Sequence, residues 1–180
     1  MSYFPLFIDL KNKKVLIIGA GKIARHKIDL LKEFEADITC ISKDKEEIEN
    51  VQLIQKNIEK EDIKDFFLVI AATSDKRLNH EIASWCKEKN IFVNVVDQKE
   101  DCTFIFPSLI KRDEIVAAFS SSGTNPIICS YLKKKNQEII NDKLINANKK
   151  LSAKRKELMN IDYSQRKEIL EKLLEEYLSE

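Results

Sequence analysis

Residues 15–27, VLIIGAGKIARHK, place Gly19, Gly21 and Ala24 in the spacing G-x-G-x-x-A, directly after an apolar run and directly before a helix-period segment. Each small residue has a task in that context. Gly19 permits a tight turn, Gly21 lets the backbone approach a pyrophosphate, and Ala24 lets helix and strand pack closely. The turn also holds Ala20, and the helix start, with Lys22 and Ile23, offers unpaired N–H groups to phosphate oxygens. The competing reading is a turn that serves packing alone. About 20 residues on, where an NAD site commonly offers an acid to the ribose hydroxyls, stand Ser42, Lys43 and Asp44. Asp44 suits NAD, while Lys43 suits the extra phosphate of NADP, so the sequence leaves that choice open. Thr73, in AATSD, closes a later apolar run where the cofactor's ribose and nicotinamide would lie.

A second kind of chemistry is available at Asp97, which closes the apolar stretch IFVNVVDQ at residues 91–98. A carboxylate at the carboxyl end of a parallel strand sits on the edge at which open α/β sheets bind ligands. Apolar surroundings would suit it to accept a proton near neutral pH, and capping the next turn is the alternative role. In SSSGTNP, Ser120, Ser121, Gly123, Thr124 and Asn125 either bind carboxylates through backbone and side-chain donors or form a plain connection. That loop lacks a G-x-S-x-G context, so Ser-His-Asp chemistry is not indicated. His26 and His80 both fall on expected helices, in surface or packing roles. The four cysteines, Cys40, Cys86, Cys102 and Cys129, form no C-x-x-C pair and read as buried, reduced thiols. No His/Cys cluster for a metal is visible.

The elements that must position these residues alternate regularly over the first hundred positions. KKVLIIGAG, ADITCIS, VQLIQ, FFLVIAAT and IFVNVVD read as five strands. KIARHKIDLLKEFE reads as a helix with Ile23, Lys27, Leu30, Leu31 and Phe34 along one side, and KRLNHEIASWCKEKN as another. Strands alternating with helices imply right-handed crossovers and a parallel sheet covered on both faces, a Rossmann-type α/β fold. After Pro107 the pattern becomes one strand, EIVAAF, then the serine loop, then helix from Pro126, where a missing N–H costs nothing. The last stretch, SQRKEILEKLLEEYL, aligns Ile169, Leu170, Leu173, Leu174, Tyr177 and Leu178 on one stripe that must bury against something. The expected division is a nucleotide-binding domain at 1–106, a small α+β segment at 107–145 and a short helical lobe at 146–180.

With 31 Lys and Arg against 30 Asp and Glu, the formal charge of +1 gives no global field for nucleic acid or a membrane surface. No apolar run approaches the roughly 20 residues that span a bilayer, and no secretory leader is recognisable, so a cytoplasmic protein is expected. Charge is nevertheless uneven. Residues 131–156 hold nine Lys and Arg against two acids, while residues 157–180 hold three against seven. These are either two solvated helical faces or a basic wall toward a polyanion.

Four separated pieces, FPLFIDLKNKKVLIIGAGKIARHK, AATSDKRLNHEIA, IFVNVVDQKEDCTFIFPSLI and EIVAAFSSSGTNP, together resemble the precorrin-2 dehydrogenase and sirohydrochlorin ferrochelatase family, over residues 4 to about 135. The resemblance implies NAD-dependent oxidation of precorrin-2 to sirohydrochlorin and, in bifunctional members, insertion of Fe2+ as a substrate to give siroheme. It implies Asp97 as the catalytic carboxylate and NAD contacts at Lys22, Ile23, Lys43 and Asp44. It further implies a serine loop near the tetrapyrrole pocket, a match of Ser121 to a serine phosphorylated in some members, and a homodimer built by exchange of roughly residues 107–145. Eight substrate carboxylates would suit the lysines from Lys133 to Lys156, with Lys111 and Arg112. The chain departs from the pattern at Ser122, where many relatives carry glycine, and in VVDQKED, which lacks a proline after the aspartate. Its helical end is shorter than the lobe of longer members, and a uroporphyrinogen methyltransferase module does not fit in 180 residues. The readings that compete with an oxidoreductase are a nucleotide-sensing regulatory module without catalysis and a chelatase that binds no dinucleotide.

Overall fold

The computed structural model describes residues 3–44, 48–49 and 51–179. The chain divides into two units, Met1–Ile105 and Phe106–Glu180. In the first, β1 (Lys14–Ile18), β2 (Asp37–Ser42), β3 (Gln52–Gln55), β4 (Leu68–Ala71) and β5 (Phe92–Val95) form one sheet in the order β3-β2-β1-β4-β5. Every neighbouring pair is parallel. The expected α/β class is therefore observed.

Sequence explains which strands sit where. In β1, Val15 to Ile18 are buried, and all of β4 is buried, as central parallel strands covered on both faces require. β3, with glutamine at both ends, has no buried residue and closes one edge. At the other edge, residues 102–104 run beside β5. The Thr103 N–H donates to Val93 O (2.9 Å), the Val93 N–H donates to Thr103 Oγ1 (2.8 Å), and Asn94 Nδ2 donates to Phe104 O (3.1 Å). That cover satisfies backbone groups that would otherwise template pairing with another chain.

Helix α1 (Lys22–Lys32) buries Ala24, Ile28 and Leu31, and α2 (Lys76–Glu88) buries Asn79, Ile82, Ala83 and Cys86. The α1 face corrects the stripe expected from its sequence. Ile23 is 46% exposed at the first turn, and the ridge starting from Ala24 carries the contact instead. A methyl side chain there lets the helix approach the sheet closely, as the glycine-turn spacing requires.

The second unit adds a strand that the sequence did not signal. β6 (Ser108–Arg112) pairs antiparallel with β7 (Ile115–Phe119) around Asp113 and Glu114. The connection has no glycine; Asp113 takes the left-handed conformation itself, with φ 54°. Three helices follow: α3 (Pro126–Ile139), α4 (Asp142–Glu157) and α5 (Tyr163–Ser179). Ile110, Ile140 and Ile145 form the small core. Arg112 ties the hairpin to the α3–α4 corner by donating to Ile140 O (3.2 Å) and to Asp142. α5 packs on α4, yet none of its residues is fully buried, so its apolar stripe is only half covered. Among the described residues, no helix is long and apolar enough to cross a membrane.

Candidate dinucleotide cleft and the Asp97 turn

Where β1 stands between β2 and β4, the crossovers on either side run in opposite directions, and a crevice opens at the carboxyl ends of the strands. A cleft of about 410 Å³ lies there. Its lining brings together Gly19, Ala20, Gly21, Ser42, Lys43, Asp44 and Thr73 from three separate stretches of sequence. Lys22 and Ile23 stand just outside that lining, in the first turn of α1. What they offer is backbone N–H, since the first bond inside the helix runs from Arg25 N–H to Gly21 O (3.0 Å).

The two glycines do different work. Gly19 has φ +104°, and a Cβ there would stand 2.4 Å from Ala72 O. Its own N–H donates to Ile41 O (2.8 Å), while the Ala72 N–H donates to Ile18 O (2.8 Å), so the turn is clamped between β2 and β4. Gly21 has φ −69°, which any residue adopts, and a Cβ there would meet nothing within 4 Å. The protein itself has no use for glycine at 21. A ligand pressed against the α1 start would, and so the residues present fit a dinucleotide pyrophosphate. Two neighbours, half-buried Arg25 and buried Cys40, steady the turn from behind. Arg25 Nε donates to Ala20 O (3.1 Å), and Cys40 Sγ donates to Gly19 O (3.4 Å). Burial pushes the Cys40 thiol up to about 11, against an opposing pull from Arg25, so it stays protonated and donating.

On the β2 side, the Asp44 N–H donates to Ser42 Oγ (3.2 Å), and Gln55 Nε2 donates to Lys43 O (3.4 Å). Lys56, Asn57 and Ile58, following β3, complete this wall. Lys56 is paired with Asp62 at 2.7 Å. On the β4 side, Thr73 is held by Asn79. Its N–H (3.2 Å) and its hydroxyl (2.7 Å) donate to Asn79 Oδ1, and Asn79 Nδ2 donates to Thr73 O (3.1 Å). Asp75 caps α2 by accepting from the Arg77 and Leu78 N–H groups. Those hydrogen bonds, Leu78 first and then Arg77, with the Arg77 and Lys43 charges, hold its carboxyl below the usual range.

Sequence reasoning named neither Asn79 nor Asp75. Asp75 was findable as an Asp directly before a helix-period run. Asn79 was findable as a polar residue on the stripe it shares with Ile82, Ala83 and Cys86.

Past β5 the chain turns sharply. The Val96 N–H still donates to Ala71 O (3.0 Å), and Asp97 then takes φ 61° and is exposed. Among the described residues of the first unit, no apolar enclosure of the kind considered for this carboxylate forms around it. Residues Lys99–Asp101 make one 3-10 turn, and the Cys102 thiol contacts Val95 N (3.1 Å) and Val95 O (3.3 Å) at the base of the loop. Asp101 is buried and accepts from His80 Nδ1 (2.8 Å), Lys87 Nζ (3.4 Å) and Gln98 Nε2 (3.3 Å). His80 thus has a carboxylate partner, a pairing 21 residues apart that no sequence pattern announced. Elsewhere, in the second unit, the serine loop forms a tight turn. Thr124 N–H and Oγ1 donate to Ser121 O (3.1 and 2.7 Å), and Ser122 and Gly123 both have positive φ. Ser121 Oγ accepts from Asn125 N–H (2.9 Å) and donates to Asn125 O (3.0 Å), and the Asn125 side chain caps α3.

The chain is similar to the siroheme synthase of Buchnera aphidicola, 39% identical over 80% of this chain and 32% of that one. It is similar also to that of Zymomonas mobilis, 36% identical over 78% and 31%. It spans about a third of the length of these relatives. A solved structure titled "SirC, precorrin-2 dehydrogenase" superposes with a TM-score of 0.77 over 98% of both chains, at 21% identity, and so shares the fold. The glycine turn, the switch-point cleft and the strand order all lie within residues 6–108, and through those residues the chain belongs to the NAD_binding_7 family, described as "Putative NAD(P)-binding".

Proposed function

We propose that the chain oxidises precorrin-2 to sirohydrochlorin with NAD, in siroheme biosynthesis in the cytoplasm. The observation that carries the reading is a single sheet edge that bears both a dinucleotide cleft at β1 and β4 and an exposed carboxylate just past the neighbouring β5. The likeness to siroheme synthases supports the substrate class.

NAD, when bound, supplies the oxidising power by accepting hydride. The chain's own residues do the rest. Gly21 and the α1 start hold the pyrophosphate, Ser42, Lys43 and Asp44 face the adenosine ribose, and Thr73, fixed by Asn79, borders the nicotinamide end. Two electrons and one proton leave the macrocycle as hydride, and Asp97 accepts the second proton from the ring. Ser120, Ser121, Gly123, Thr124 and Asn125, with the cations of α3 and α4, are proposed to receive substrate carboxylates. A homodimer through residues 107–145 fits the α3 face, where Ile127 is 75% and Ile139 63% exposed. For Fe2+ insertion, the exposed Asp97 would take the pyrrole protons.

Anaerobic incubation of the protein with precorrin-2 and NAD tests the reading. The expected result is NADH and the sirohydrochlorin spectrum in equal amounts; neither product refutes it. Fe2+ added to sirohydrochlorin, with and without protein, tests insertion separately.

A further inference from the structure

Three costly features crowd into the six residues after β5. Asp97 takes a left-handed conformation, φ 61°, tolerable for Asp but not favoured. Gln98 Oε1 is buried with no hydrogen-bond partner among the described residues. Asp101 is an acid with a side chain only 7% exposed. The second cost follows from the third. Asp101 Oδ2 accepts from Gln98 Nε2 (3.3 Å) as well as from His80, and with its Nε2 turned that way the Gln98 amide leaves its oxygen stranded. An orphan buried acceptor is destabilising, and an unpaired buried charge more so. A loop that served only to connect could use an asparagine or serine at 101 and avoid both.

What Asp101 gains is purchase on α2. His80 Nδ1 (2.8 Å) and Lys87 Nζ (3.4 Å) come from residues about two turns apart on that helix, and both meet the one carboxylate. Gln98, the residue after Asp97, is the third arm. The Cys102 thiol, seated on Val95 and on Gln98 O (3.4 Å), closes the base of the same loop. The turn bearing Asp97 is therefore held from both ends, by Cys102 at the strand and by Asp101 at the helix. Burial raises the Asp101 carboxyl, and His80 and Lys87 more than reverse that, keeping it ionised at neutral pH.

We infer that Asp101 is a positioning residue, whose buried charge, gripped by His80 and Lys87 and bonded to Gln98, fixes the turn that presents Asp97. The inference rests on the proposed role of Asp97, and its test separates the two. Asp101→Asn keeps the shape of the side chain and removes the charge. Hydrogen exchange of the amides at 96–102 is expected to speed up at least about tenfold, a local opening reported without reference to activity. In the anaerobic assay kcat is expected to fall about tenfold or more, as misplaced catalytic groups typically cost, while the NAD Kd stays within about twofold. A merely structural role would lower thermal stability without moving kcat. Should Asp101→Asn not fold, His80→Leu removes the shortest arm, with about a threefold loss in kcat and the same local exchange signature expected. Unchanged exchange and unchanged kcat in the folded variant overturn the inference. Faster exchange at 96–102 alongside an inactive parent protein would sustain the anchoring and refute the dehydrogenase reading instead.

Discussion

Replacing each glycine of the turn by alanine separates what the fold needs from what the ligand needs. At Gly19 the new methyl would stand 2.4 Å from Ala72 O, 2.9 Å from Ala72 C and 3.2 Å from Thr73 N, all of them backbone. Ordinary approach of a carbon to a carbonyl oxygen is about 3.3 Å or more, so the end of β4 must move by nearly 1 Å. That displacement costs about 1–3 kcal/mol as overpacking, and φ +104° adds a further ~1–3 kcal/mol for a residue with a Cβ. A melting temperature lower by about 10 °C follows for a chain of this size. At Gly21 the same methyl meets nothing, and the change at this helix-start position should stay within about 1 kcal/mol. NAD binding should separate the pair in the opposite sense. By calorimetry, Gly21→Ala, fully folded, is expected to bind NAD at least about tenfold more weakly, or ~1.4 kcal/mol. A Gly21→Ala protein that binds NAD like the parent would mean that the pyrophosphate does not lie over the α1 start. A Gly19→Ala protein that melts like the parent would refute the packing argument.

Removing the buried Asn79 side chain leaves the half-buried Thr73 N–H and O without that partner; Asn79→Ala should cost about 1–2 kcal/mol in denaturant titrations and weaken NAD binding as the Thr73 loop loosens. Asp101 has a carboxyl depressed in the folded state, so its contribution to stability is fully present above the unfolded value of about 4 and is lost as pH falls through the folded value. Denaturation measured from pH 3 to 7 should accordingly show parent and Asp101→Asn separated by a constant gap above about pH 4 that narrows as pH falls below it. Ser122, at φ 53°, pays for a left-handed conformation that glycine adopts freely; Ser122→Gly should stabilise the second unit by about 0.5–1 kcal/mol in thermal unfolding.

Much of the first unit was legible because its signals are local. Apolar runs of four to six residues, each ending near a small or polar turn, set out five parallel strands, and the glycine spacing located the switch-point crevice. The same locality explains the misses. Ile23 looked like a core residue by type, but the helix phase set by Ala24 turns it outward. The strand at 108–112 was hidden because Pro107 read as a break and the hairpin's tight turn uses Asp113 in place of glycine. The run KEDC has no periodic signal of its own, and only the fold brings His80 and Lys87, 21 and 14 residues away, onto Asp101. Asn79 likewise acquires meaning only when Thr73 folds back against it.

The most direct test of the central claim is a single-turnover assay, under anaerobic conditions, of the parent protein and Asp97→Asn with precorrin-2 and NAD. The account predicts one NADH per sirohydrochlorin from the parent, and a rate at least about 100-fold lower for Asp97→Asn at unchanged NAD affinity. A parent that forms no NADH, or an Asp97→Asn protein that turns over like its parent, would contradict it.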